Sequence, residues 1–147
     1  MNEIKIVDYE NDMKILIREL FRSIYPGQNY IVEKMCYDKE APGHIVTKVA
    51  FDGDMIAGQA NIFIKKKLGG SPNLGCHVHP DKRRQGIAKA LSMEAINVAK
   101  SKGIKEIYIL MDKNNNASIA VARSLGFIRD SSKYEDKETL VFRKILT

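Results

Sequence analysis

Residues 78–91 read Val78-His79-Pro80-Asp81-Lys82-Arg83-Arg84-Gln85-Gly86-Ile87-Ala88-Lys89-Ala90-Leu91. Three cationic side chains fill a short turn, and Gly86 stands where a helical pattern begins. The first N–H groups of a helix lack an intrahelical acceptor, and the macrodipole places about half a positive charge there. Small residues such as Gly86 and Ala88 let a ligand approach that backbone closely. A strand that feeds such a turn therefore builds an anion site, suited above all to phosphate. Taken alone, the same residues also describe a solvated helix entry.

The flanking pattern supplies the strand and the helix. Leu74 to Val78 reads as a strand, and the helix after Pro80 runs to about Ser101 and closes at Gly103. Lys105 to Met111 is a strand whose Ile107, Tyr108, Ile109 and Leu110 form an unbroken apolar run, as expected of burial on both faces. Ala117 to Leu125 forms a helix with Gly126 at its C′ position. Phe127-Ile128 and Thr139 to Ile145 are strands. Upstream, Ile4, Ile6 and Val7 mark a first strand, and Met13, Leu16, Ile17, Leu20, Phe21 and Ile24 recur at helical spacing until Pro26-Gly27. Tyr30 to Asp38 reads as a shorter helix. His44 to Phe51 and Met55 to Lys65 are strands joined by the hairpin signal Asp52-Gly53. The order β-α-α-β-β-β-α-β-α-β-β gives a mixed sheet layered with helices, an α/β or α+β domain.

The 147 residues fit one domain, 1–147. With 44% hydrophobic and 29% charged residues, the chain has a globular composition rather than a disordered one. No apolar run reaches the ~20 residues of a membrane helix, so no membrane partner is expected. Met1-Asn2-Glu3-Ile4-Lys5 lacks the apolar core of a secretion signal, which points to the cytoplasm. Cys36 and Cys76 then read as buried thiols rather than a disulfide. The net charge of +6, from 24 Lys and Arg against 18 Asp and Glu, favours an anionic partner. Nucleic acid is disfavoured, because the basic residues scatter without interleaved aromatics and no recognition helix stands out. Gly53 and Gly58 have Walker spacing, but Gln59-Ala60 replaces the Lys-Ser/Thr pair, and no G-x-G-x-x-G occurs.

Val78-x-Pro80-x-x-Arg83-x-x-Gly86-x-Ala88-x-x-Leu91 resembles the acyl-CoA-binding motif of the GNAT superfamily of N-acetyltransferases. Asn115-x-x-Ser118-Ile119, followed by Leu125-Gly126-Phe127, looks like that family's second motif. The resemblance spans Asn73 to Ile128, about 56 residues, with a helix and a buried strand between the motifs. It implies a mixed, mostly antiparallel sheet of about six or seven strands with helices on both faces. By resemblance, the amides of Arg84, Gln85, Gly86, Ile87, Ala88 and Lys89, beside Arg83, would cradle a CoA pyrophosphate. Main-chain groups of Cys76, His77 and Val78 would hold the pantetheine arm, with Asn115 and Ser118 opposite. The N–H near Val78 would face the thioester oxygen as a primary amine attacks directly, with no covalent enzyme intermediate. Acetyl-CoA is the expected co-substrate, no metal is expected, and a homodimer is allowed.

The departures fall on acid–base chemistry. Many members carry a Tyr where this chain has Ala122, and Leu110 stands where some carry a Glu. Asn73, Leu74, Gly75 and Cys76 supply no fourth-strand Glu. His77 has the right ordinary pKa, near 6.5, for a general base, although a packed or hydrogen-bonded strand histidine is the reading its place favours. His79 reads as solvated, Cys76 as a small buried hydrophobe, Asp112 as a loop cap and Lys65-Lys66-Lys67 as a hairpin tip. Residues 23–42 and 130–137 are expected to shape the acceptor site, which the sequence leaves unnamed. Two readings follow: an acyl-CoA-dependent N-acetyltransferase, or a non-catalytic acyl-CoA-binding domain.

Overall fold

The computed structural model describes residues 3–66, 69–132 and 134–147. Lys67 of the expected hairpin tip lies outside them. Strand β1 (Ile4–Asp8) leads through a 3-10 turn to α1 (Lys14–Ile24) and α2 (Asn29–Lys34). Then come β2 (His44–Asp52), β3 (Met55–Lys65), β4 (Ser71–Val78), α3 (Ile87–Ser101), β5 (Glu106–Asp112), α4 (Asn116–Ser124), β6 (Ile128–Arg129) and β7 (Thr139–Ile145). The strands form one seven-stranded sheet in the order β1-β2-β3-β4-β5-β7-β6. Every neighbouring pair is antiparallel except β4 and β5.

Strand alternation sends side chains to two faces, and each face has its own core. Leu74, Ala60, Ile62, Ile107 and Phe142 pack with Leu91, Ala95 and Ala99 of α3 and Ala122 of α4. On the other face Val49 and Ile56 pack with Ile17, Leu20 and Phe21 of α1 and Val32 of α2. Gly58 lets α3 lie close to the sheet, since a Cβ there would stand 2.8 Å from the His77 carbonyl oxygen and 3.1 Å from Leu91.

Strand β4 begins at Ser71, three residues before the sequence-based estimate, and so includes Pro72. The bond from His79 N–H to the Ala57 carbonyl, 2.8 Å, sets the phase of the β3–β4 ladder. Bonded pairs alternate in an antiparallel ladder. With Gln59 opposite His77 and Ile64 opposite Pro72, the proline falls at a position whose missing N–H costs that ladder nothing. Helix α2 ends at Lys34 rather than Asp38, and Tyr37 beyond it packs edge-on against Phe63 with ring centroids 4.8 Å apart. Among the described residues no helix is long and apolar enough to cross a membrane. Both cysteines are free thiols.

Candidate active site

Strands β4 and β5 run parallel but pair at one position only, Asn73 opposite Tyr108. Beyond it the ladder stops while β4 continues to Val78, so the two strands part toward their C-terminal ends. The same ladder phase fixes which groups of β4 face that gap. The main chain of His77 is spent on Gln59 of β3, whereas the N–H groups of Cys76 and Val78 point away from β3, into the opening. This corrects one expectation: His77 has no main-chain group to offer a ligand there.

At the mouth of the gap the turn after β4 is built around two left-handed residues, Arg84 (φ 64°) and Gly86 (φ 77°). Gly86 is the N-cap of α3 and carries no capping side chain, so the first amides of the helix remain open. Nothing lies within 4 Å of where a Gly86 Cβ would stand. The three cations of the turn have separate duties. Lys82 pairs with Asp52 of β2 at 2.5 Å. Arg83 donates Nε to the Val78 carbonyl, 3.3 Å away, and ties the turn to the strand end. Arg84 has no partner among the described residues and is exposed. Gln85 and Lys89 are exposed, Ala88 is half-buried, and Ile87 turns its side chain into the core, leaving only its amide to the site.

Across the gap Asn115 is the N-cap of α4. Its Oδ1 accepts from the Ser118 N–H at 3.1 Å, which leaves the Nδ2 amide as the group that can reach a ligand. Cys76 points to α3, with Sγ 3.7 Å from the Ala88 carbonyl, and burial pushes its thiol up to about 11. It is an inert thiol. His77 points to the opposite face, where burial, with the Arg83 cation adding, pushes it down to about 4. A ring that burial holds neutral near pH 7, with Nδ1 only 2.8 Å from the Gln59 amide, is poorly placed to take a proton.

His79 is not solvated. Its side chain is 14% exposed, and its Nδ1 accepts from the Asp81 N–H at the turn. Asp112 caps the loop after β5, accepting from Asn114 N–H at 2.8 Å. Tyr134 packs edge-on against Tyr108, centroids 6.0 Å apart, and its hydroxyl reaches Gly69. Gln59 and Asn61, both turned toward this face of the sheet, were missed from sequence. Two amides at i and i+2 between the apolar residues of β3 were the available signal.

The model of the acetyltransferase (GNAT) family matches residues 11–127, most of the chain. The chain belongs to the GNAT acetyltransferase family. A mycothiol acetyltransferase of Kocuria rhizophila is 32% identical over 82 residues, 53% of this chain. That match spans 27% of the relative's own length. Among solved structures, a putative acetyltransferase of Salmonella typhimurium, determined with its cofactor acetyl-CoA, superposes with a TM-score of 0.78 at 15% identity, covering 99% of this chain and 95% of the other. PaiA N-acetyltransferase of Thermoplasma acidophilum, in complex with coenzyme A, gives 0.74 at 16% identity over 97% and 99% of the two chains. At such identities these structures bear on the fold of this GNAT chain.

Proposed function

We propose that this GNAT chain transfers an acetyl group from acetyl-CoA to a primary amine. One observation carries the reading: β4 and β5 part beyond Asn73 and Tyr108, and the gap opens beside the bare N-terminus of α3. The residues fit the co-substrate. The open space over Gly86 and the amides from Arg84 to Lys89 suit a pyrophosphate. The outward N–H groups of Cys76 and Val78 suit an extended amide-bearing arm laid along β4.

Acetyl-CoA would supply an activated acyl carbon on a thiolate leaving group, and thiols ionise near pKa 8.5. The chain's part is to hold that carbonyl against fixed N–H donors. The Val78 N–H would receive the charge that gathers on oxygen as the C–N bond forms and the C–S bond breaks. The amine's surplus proton leaves through water, and the thiolate takes one from water or from Ser118, which is half-buried in the first turn of α4. A single domain over residues 1–147 and a cytoplasmic location belong to the same reading.

Release of free CoA from acetyl-CoA with a panel of primary amines tests it. Amine-dependent thiol release supports the proposal. CoA binding without release from any amine would favour the non-catalytic reading.

A further inference from the structure

On the face of the sheet under α1, three side chains form a linked polar chain. Asn61 Nδ2 donates to Gln59 Oε1 at 2.9 Å, and Gln59 Nε2 stands 2.8 Å from His77 Nδ1. Gln59 is 1% exposed, so its amide is committed to these partners. In the amide orientations of this structure, Oε1 accepts from Asn61 and Nε2 is left to donate. Nδ1 of His77 is then an acceptor, and the ring proton resides on Nε2. Phe21 of α1 and Tyr25, which caps that helix, meet the ring edge-on, with centroids 4.9 and 6.4 Å away. Nε2 has no hydrogen-bond partner among the described residues, and it is not among the buried side-chain atoms left without one. Its N–H is therefore not fully sealed from the surface.

The strand on that side is bare beside the ring. At Gly75 the nearest neighbour of a Cβ would be Asn61, whose Oδ1 would lie 3.2 Å away. Farther along the same face, Asn73 Oδ1 is buried with no hydrogen-bond partner among the described residues. Asn73, Gly75 and His77 thus share a strip about 13 Å long, with a donor at one end and an orphaned acceptor at the other.

We infer that His77, held in its Nε2–H form by Gln59, is a hydrogen-bond donor of the acceptor pocket and selects amines that carry an oxygen beside the nitrogen. The pocket's occupant rests on the acetyl-transfer reading above. The amide oxygens of Asn61 and Asn73 receive the amine's N–H groups, and His77 meets the lone pair of a neighbouring carbonyl or hydroxyl. Amino amides and amino alcohols have both features, whereas alkylamines have one. Gln59 is a positioning residue: it touches no substrate and acts through the imidazole. Among the described residues, the groups that face His77 are neutral except for Arg83 in the turn: the Gln59 amide from β3, Phe21 from α1 and the Tyr25 phenol just after it. All of them favour the uncharged ring.

Nitrogen-15 correlation spectra of the histidine rings in the ligand-free wild type test the assignment without any substrate. His77 should show the Nε2–H tautomer, and an Nδ1–H pattern overturns the proposal even if acetyl transfer is real. Gln59→Glu, whose carboxylate only accepts, should move the proton to Nδ1 and raise the ring's titration; an unmoved proton contradicts the role of Gln59. Glycinamide, ethanolamine and propylamine then test selectivity. His77→Phe should lower kcat/KM for the first two about tenfold, the loss of one hydrogen bond, and for propylamine less than twofold. His77→Gln, which keeps an N–H donor, should restore most of the loss. Glycinamide should shift the wild-type Nε2 signal and propylamine should not, a comparison that needs no turnover. Equal effects across the three amines overturn the claim.

Discussion

The side-chain amide of Gln59 lies 2.8 Å from Nδ1 of His77 and joins β3 to β4 beneath Phe21 of α1. A ring so enclosed resists protonation, and its pKa falls from the ordinary 6.5 to about 4. Between those values the unfolded chain binds the proton and the folded chain does not. Stability should therefore fall as pH drops from above 6.5 toward 4, by on the order of 3 kcal/mol from this group. Burial pushes His44 down as well and adds loss in the same direction, so the comparison with His77→Gln isolates the contribution. Urea denaturation at pH 7.5 and 4.5 should show a smaller pH effect in the variant. Equal losses would mean that His77 is charged in the folded protein.

Arg84 holds a left-handed backbone, φ 64°, that costs an L-residue roughly 1–2 kcal/mol. Glycine adopts it freely but loses more entropy on folding. Arg84→Gly should raise stability by about 0.5–1 kcal/mol in urea denaturation and lower CoA affinity no more than about tenfold, because the amides remain. A destabilised variant would show that the Arg84 side chain holds the turn.

With no side-chain base in the gap among the described residues, the rate should rise with pH toward the acceptor's own pKa, with no limb near 6 to 7. Profiles of kcat/KM for two amines of different pKa check this. A limb that stays near 6.5 for both amines, and disappears in His77→Gln, would make His77 the base.

Where periodicity is strong, the elements stand where their residues suggest. The hairpin at Asp52-Gly53, the helix from Ile87 to Ser101 and the strand around Ile107 to Leu110 lie within a residue or two of expectation. Ends set by tertiary contacts were not legible. The start of β4 was hidden by Pro72, which is harmless only because of the ladder's phase. The turn motif showed where an anion can bind, but not that Lys82 is spent on Asp52 and Arg83 on Val78. Nor can a sequence show which β4 amides face outward, because that follows from the pairing of His79 with Ala57.

Ala122, where many relatives carry a Tyr, is fully buried in the core shared by α3, α4 and the sheet. Ala122→Tyr should therefore overpack that core, costing about 1–3 kcal/mol, and bring no gain in turnover. Thermal denaturation and steady-state rates settle it. A stable variant with turnover raised a hundredfold would show that the position opens to the gap and that the native site lacks an acid.

The most direct measurement is an amide-resolved NMR titration of the wild-type protein with CoA, repeated with Gly86→Glu. The account predicts large shifts at Cys76, Val78 and the amides from Arg84 to Lys89, smaller ones at Asn115 and Ser118, and none at the β3-paired amide of His77. In Gly86→Glu, whose carboxylate would occupy the space over residue 86, the spectrum should stay folded and the shifts vanish. Perturbation centred elsewhere, such as the groove of Met93, Ile96 and Leu125 between α3 and α4, would contradict it, as would unchanged binding by the variant.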